Sequence, residues 1–285
     1  MQATAVTKAA FLSLGVVVAS IALTPSVAKK QLPASVSPSF SATITFLEPT
    51  RKSIEHAAAT PITQQKPDTP TLLPIVDQPD ILEHQRILAD TVLKRLPSLC
   101  RDSVKHFFVL YSDAKNRGLG GKTSIVIDGT VPDNEFVGLL VHECGHVIHG
   151  NLLGNLSSGA SAFRDGKDIF ATDSSAAAFF SISWSSAKKA SPRSQKQDFV
   201  SGYAQTDPFE DFAETFTMYI LQRPALEAHA LENPLIAAKL RWMETNLPLS
   251  DVALVTPLSS WNGNIPWDAT KLSFVWRPVA MSAMQ

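Results

Sequence analysis

The chain is 285 residues long, 45% hydrophobic and 18% charged, which excludes a disordered polymer and leaves room for one or two domains. Its 25 Lys and Arg against 26 Asp and Glu give a net charge of −1, so no excess of positive charge attracts a phosphate backbone and nucleic acid is not an expected partner. The two cysteines, Cys100 and Cys144, are too few for a disulfide scaffold, a Cys-based zinc ribbon or an iron–sulfur cluster, so any metal falls to histidines and carboxylates.

In chain order, the first element is an apolar run from Phe11 to Leu23, preceded by Lys8 and followed by Pro25 and the small residues Ser26 and Ala28. This is the three-part layout of a secretory signal peptide, and the run is shorter than the roughly 18 apolar residues of a membrane span. Cleavage is expected after Ala28, giving a secreted or periplasmic mature chain without a membrane span. An uncleaved anchor stopped by Lys29 and Lys30 is the alternative. The mature chain, without Lys8, carries a net charge of −2.

Residues 29–79 hold eight prolines and no glycine, a composition that favours extended conformations over a core and reads as a linker or arm, with an inhibitory pro-segment as the functional alternative. From Asp80 the apolar residues Ile81, Leu82, Ile87, Leu88, Val92, Leu93 and Leu96 recur at helical spacing, and the domain is expected to start there. Two runs of strand type follow, Phe107 to Tyr111 and Thr123 to Ile127. The glycine-bearing loop Gly118 to Gly121 lies between them and reads as a hairpin turn. Its Gly121-Lys122-Thr123 is not a phosphate-binding loop, because Asn116 stands where the first glycine is needed and a strand follows instead of a helix.

A helix is expected from Asp133 or Asn134, either able to cap it, to about Leu153. A short helix should span Ser174 to Ser183, followed by a polar, mobile stretch around Ser185 to Gln197. Asp207-Pro208 then opens a helix to about Leu221, a cap followed by proline in the first turn. Two helical pieces, Pro224 to Glu232 and Pro234 to Asn246, precede a tail with Trp261, Trp267 and Trp276.

The helix from Asp133 contains His142-Glu143-Cys144-Gly145-His146, the pattern H-E-x-x-H. Residues four apart on a helix differ by about 40° in direction, so His142 and His146 project from one face, as two ligands of one zinc ion require. Glu143 stands beside the first ligand, where its carboxylate can take a proton from water at the metal. The metzincin continuation fails, since it needs glycine at position 149 and histidine at 152, where this chain has His149 and Leu152. His149 lies too far along the same helix to be a third ligand and reads as a residue behind the ligands or at the rim. Cys144 lies on roughly the opposite face, a core thiol or a partner for Cys100.

Glu210 and Glu214 share one face of the helix after Asp207 and offer the missing ligand. A capping box, with Asp207 as cap and Glu210 reaching back to its amide, is the competing structural use, and Glu214 as the ligand is a further one. Ser201 to Phe216, with the H-E-x-x-H helix, resembles the active site of the gluzincin metallopeptidases, the catalytic domain of anthrax lethal factor among them. There a tyrosine stands seven residues before the glutamate ligand, and a second glutamate follows it by four. The resemblance covers about Asp133 to Leu221. It implies Tyr203 as the transition-state tyrosine, Glu210 as the third zinc ligand and Glu214 as a carboxylate orienting a ligand histidine.

The expectation is an α+β, mostly helical, zincin-like metallopeptidase domain over residues 80–250, with a small antiparallel sheet before the active-site helix and a C-terminal tail, 251–285, packed on it. The expected function is hydrolysis of peptide bonds in a peptide or protein substrate with zinc as cofactor. Lys122 to Asp128 is the candidate edge strand for an extended substrate. A non-catalytic zinc module that holds a protein or polysaccharide through the tail tryptophans is the alternative. A deformylase-like amidase fits less well, since Cys100 follows Ser98-Leu99 and not Glu-Gly.

Overall fold

The computed structural model describes residues 71–112, 116–248 and 255–276. The expected signal peptide and most of the Pro-rich arm lie outside the described residues. What is described of the arm already belongs to the domain. Val76 is fully buried, Leu72, Leu73 and Ile75 pack against the core, and the Leu73 amide donates to Asp90 Oδ1 at 2.7 Å. The boundary therefore falls before Asp80, because these aliphatic residues supply apolar contacts that the prolines do not.

Helix α1 (Glu83–Leu93) buries Ala89, Val92 and Leu93, and the short α2 (Ser98–Arg101) starts directly after Pro97. Strands β1 (His106–Leu110), β2 (Gly118–Gly120) and β3 (Ser124–Asp128) form a sheet in the order β1-β3-β2. β2 runs antiparallel to β3, with Leu119 opposite Val126, whereas β1 runs parallel to β3, with Phe108 opposite the same residue. The two apolar runs are thus not the arms of one hairpin. The glycine segment expected as the turn is itself a strand, and the chain crosses to the far side of β3 before turning back. For the same reason Lys122 to Asp128 is not an edge: β3 is central, and β1 and β2 flank it.

Phe107, Val109, Ile125 and Ile127 alternate inward from the sheet onto α3 (Asp133–Asn151). That helix begins after Pro132 with no side-chain cap, so Asp133 serves in its first turn and not as the cap. α3 is buried on nearly every side, and His142, Glu143 and His149 are buried with its apolar residues. Cys144 on its inner face is joined to Cys100 of α2, the Cα atoms 5.5 Å apart, so both thiols are consumed in a bridge within the core.

A hairpin, β4 (Ala160–Asp165) and β5 (Asp168–Ala171), precedes α4 (Ser175–Ser183), whose cap Ser174 accepts from the Ala177 amide. The stretch expected to be mobile instead forms β6 (Trp184–Ser186) and β7 (Lys189–Ala190). Trp184 anchors it, since its buried ring donates through Nε1 to Asp211 at 3.0 Å. α5 (Pro208–Leu221) starts as its sequence predicts, with Asp207 Oδ1 accepting from the amides of Phe209 and Glu210. α6 (Arg223–Glu232) and α7 (Pro234–Asn246) follow, and β8 (Val255–Pro257) pairs antiparallel with β9 (Phe274–Trp276). The class is α+β, as expected.

α3 and α5 cross closely at Gly145, where a Cβ would stand 2.7 Å from the Cα of Ala213. That approach brings the histidine face of α3 against the glutamate face of α5.

Candidate metal centre and catalytic cleft

Nε2 of His142, Nε2 of His146 and Oε2 of Glu210 converge on one point: the nitrogens are 3.2 Å apart, and the oxygen is 3.1 Å from His142 and 3.5 Å from His146. Tetrahedral ligands held about 2.0–2.1 Å from zinc lie roughly 3.3–3.4 Å from one another, so the spacing fits that ion. The donor chemistry fits as well, two imidazoles and one carboxylate with no thiolate. The capping alternative for Glu210 is not used, because its side chain turns to the histidines while Asp207 caps α5 alone.

Each histidine is held from behind. His142 Nδ1 lies 3.0 Å from Oε1 of Glu214, which has no exposure to solvent. The other oxygen of Glu214 accepts from Ser201 Oγ at 2.5 Å and from the Ala269 amide at 2.8 Å. His146 Nδ1 lies 3.0 Å from Nε2 of His149, which is buried behind the ligands and is no rim residue.

Burial disfavours a charged His142 ring, but hydrogen bonds to Glu210 and Glu214 and the charge of Glu143 outweigh it and lift its pKa well above the ordinary value. Burial likewise pushes Glu210 up, yet the bonds from His142 and His146 prevail and hold it well below the usual carboxylate range. The two shifts are the two sides of one attraction, between the imidazole rings and the Glu210 carboxylate. Burial also raises Glu143, against the histidine charges, which suits a base that must take up a proton. Tyr203 is pushed upward by burial and by the Glu210 carboxylate beside it, so its hydroxyl keeps its proton and can donate it. Its ring lies 6.0 Å from that of His142.

These residues line a cleft with two lobes. The larger, about 560 Å³, is bounded by Arg117, Leu119, Trp267, Asp268 and Lys271, and the smaller, about 220 Å³, by Gly120, Asp165, Asp207 and Phe209. His142, Glu143, Tyr203 and Glu210 line both. β2 forms one wall at van der Waals limit. A Cβ on Gly118 would strike the Glu143 carboxylate, and one on Gly120 would come within 2.7 Å of the Glu143 carbonyl oxygen. The Gly120 amide in turn donates to the Glu143 side chain. Glycine is needed here for close approach, not for a turn.

His142, His146 and Glu210, named from the sequence, are brought together, but sequence reasoning misses the opposite wall of the cleft. Residues 266–271 form a strap: the Gly202 amide donates to the Pro266 carbonyl and the Tyr203 amide to that of Trp267, both at 2.8 Å. Ala269 reaches Glu214, and Asp268 binds Arg117 at 2.7 Å. Of the tail tryptophans, Trp267 lines the cleft and is 73% exposed, whereas Trp261 stacks on His229 at 3.7 Å and donates to Glu232. No local pattern marks such a strap, since each contact spans tens of residues.

Residues 131–261 match the model of a family described as "Putative zinc-binding metallo-peptidase". That segment contains His142, Glu143, His146, Tyr203, Glu210 and Glu214. No curated protein and no solved structure matches the chain. Zinc is the cofactor on which the family and the donor set agree, and a peptidase family takes peptides or proteins as substrates. The strap at 266–271 lies beyond the matched segment. Among the described residues, no helix is long and apolar enough to cross a membrane.

Proposed function

We propose that the chain is an exported zinc-dependent endopeptidase of the gluzincin arrangement, the class that includes the lethal-factor catalytic domain, with His142, His146 and Glu210 as zinc ligands. The observation that carries this reading is the meeting of three donor atoms with a carboxylate outside the ligand cluster, Glu143, and a tyrosine hydroxyl, Tyr203, in one cleft. Bound zinc supplies a Lewis acid that acidifies water and polarises a carbonyl. Glu143 takes the proton of the attacking water as its oxygen adds to the scissile carbonyl carbon. It returns that proton to the departing amine as the C–N bond breaks. Tyr203 donates its O–H to the carbonyl oxygen as negative charge develops there. The edge strand β2, and not β3, is where an extended substrate adds, because its residues line both lobes. Export is supported by the Lys8 to Ala28 layout and by the Cys100–Cys144 bridge, since structural disulfides persist in oxidising compartments.

The test joins metal analysis to cleavage profiling on a peptide library, for the wild type and Glu143→Gln. The wild type should carry one zinc and cleave internal bonds, and Glu143→Gln should keep the zinc and lose about 10²- to 10⁴-fold in kcat. Stoichiometric zinc with no cleavage of any peptide by the wild type would instead favour a zinc-binding module without hydrolysis.

A further inference from the structure

We propose that His149 is the positioning residue of the second zinc ligand: it holds His146 in the tautomer that presents Nε2 to the metal, and does so as a neutral ring carrying its own proton on Nδ1. The proposal rests on the reading of His146 as a ligand.

His149 is 1% exposed, with Nε2 against His146 Nδ1 at 3.0 Å. Its other nitrogen, Nδ1, has no hydrogen-bond partner among the described residues. The ring stands in a box of phenylalanines: Phe209 is stacked on it at 5.4 Å, Phe212 and Phe180 are edge-on at 5.7 and 6.0 Å, and Phe170 is tilted at 6.2 Å. Apart from His146, the rings in contact with it among the described residues are all hydrocarbon.

Between two facing imidazole nitrogens there is room for one proton. If it sat on His149 Nε2, the neutral His146 ring would carry its own proton on Nε2. That proton would point at His142 and Glu210 and close the position to a cation. If it sits on His146 Nδ1, Nε2 keeps its lone pair for the metal, and His149 must carry its remaining proton on Nδ1, the atom enclosed by the phenyl rings. Burying an unpaired N–H costs stability that a fifth aromatic hydrocarbon in the box would not cost. The contact with His146 is the one return visible for that cost.

The two ligand histidines are consequently backed by different groups. His142 leans on the carboxylate of Glu214, which strengthens it as a donor, whereas His146 leans on an uncharged ring. His149 contributes orientation without adding negative charge to a centre that already holds Glu143, Glu210 and Glu214.

Zinc affinity of the full chain, measured by competition with a chromophoric chelator, tests this in wild type, His149→Leu and His149→Gln. The thermal midpoint of each metal-free protein is recorded alongside. His149→Leu should bind zinc about 10- to 100-fold more weakly. His149→Gln should recover most of the loss, since its carbonyl oxygen can accept from His146 Nδ1. A residue that only fills space would lower the midpoints and leave zinc affinity unchanged in both variants, which overturns the proposal. Ring nitrogen shifts of the zinc-loaded wild type, read by 15N NMR, need no variant to fold. Protons on Nδ1 of both His146 and His149 support the proposal, and a proton on Nε2 of His149 overturns it. A wild type that binds no zinc removes the metal reading and this proposal together. Equal binding by the wild type and His149→Leu removes this proposal alone.

Discussion

Glu210 and Asp211 are consecutive on α5, both withdrawn from bulk water, and their counter-charges come from different places. Asp211 points into the core, where Lys239 Nζ reaches its two oxygens at 2.7 and 2.8 Å and Trp184 Nε1 donates at 3.0 Å. Burial moves Asp211 up and Lys239 down, and each opposes the shift of the other. The ammonium also donates to the Asp198 carbonyl at 2.8 Å and sits 4.5 Å over the Phe199 ring, so its protons are used within the fold. Glu210 points the other way, to two histidines. Among the described residues it has no lysine or arginine partner, and the nearby Arg117 is committed to Glu135 and Asp268. A single step along α5, about 100° around the helix, thus separates a carboxylate whose cation is built into the chain from one whose cation must arrive from solution. A metal centre is made as much by withholding internal cations as by collecting ligands.

The largest effect is expected on the internal pair. Lys239→Met leaves Asp211 buried without its cation and should cost about 3–5 kcal/mol in a urea unfolding curve. Lys239→Met/Asp211→Leu removes both charges and should regain most of that loss. If the single variant unfolds at the wild-type midpoint, Asp211 and Lys239 are not the structural half of the comparison.

The contrast also shows what a sequence can disclose. His142, Glu143 and His146 are local in the chain, as are Tyr203, Glu210 and Glu214, and helical geometry converts their spacing into a shared face; Asp207-Pro208 fixes where α5 starts. Lys239 lies 28 residues beyond Asp211 and the Ala269 amide 55 beyond Glu214, and nothing in either stretch announces its partner. β2 was illegible for a different reason. Gly118 and Gly120 lower strand propensity, yet they are required because Glu143 occupies the space of their missing side chains. The crossing from β1 to β2 lies partly outside the described residues, and strand order is a long-range property that alternation of apolar residues cannot encode.

On the open side the effects are smaller and of another kind. Zinc at a hundredfold excess over its Kd should raise the stability of the wild type by about 2.7 kcal/mol, and a chelator should abolish that increment without unfolding the domain. Glu210→Ala should show no increment, and its metal-free stability should fall modestly, since the bonds from His142 and His146 that hold the Glu210 carboxylate below its usual range go with it. Tyr203→Phe should lower kcat by roughly 10²-fold, also about 2.7 kcal/mol, and leave zinc content and the thermal midpoint unchanged. A drop in the midpoint with unaltered kcat would make Tyr203 a structural residue of the strap contact.

The smallest expected effect lies where the two sides meet. Ser201 is fully buried, and its hydroxyl donates to Glu214 while accepting from the Ala204 amide at 3.0 Å, so it ties the turn carrying Tyr203 to the carboxylate behind His142. A hydrogen bond to a charged group contributes about 1.5–3 kcal/mol. Ser201→Ala should fall at the lower end, about 1.5 kcal/mol, because the Ala269 amide still holds the same oxygen of Glu214. The loss should divide about equally between a modest fall in stability and a weakening of zinc binding of about threefold, since groups behind a ligand act through its orientation. Each zinc-loaded molecule should then turn over at close to the wild-type rate, because neither Glu143 nor the Tyr203 hydroxyl has moved its partners. Unchanged zinc affinity alongside lowered stability would mean that the strap alone orients Glu214, and would shift the positioning of His142 from α5 and its preceding turn to the C-terminal segment beyond residue 261.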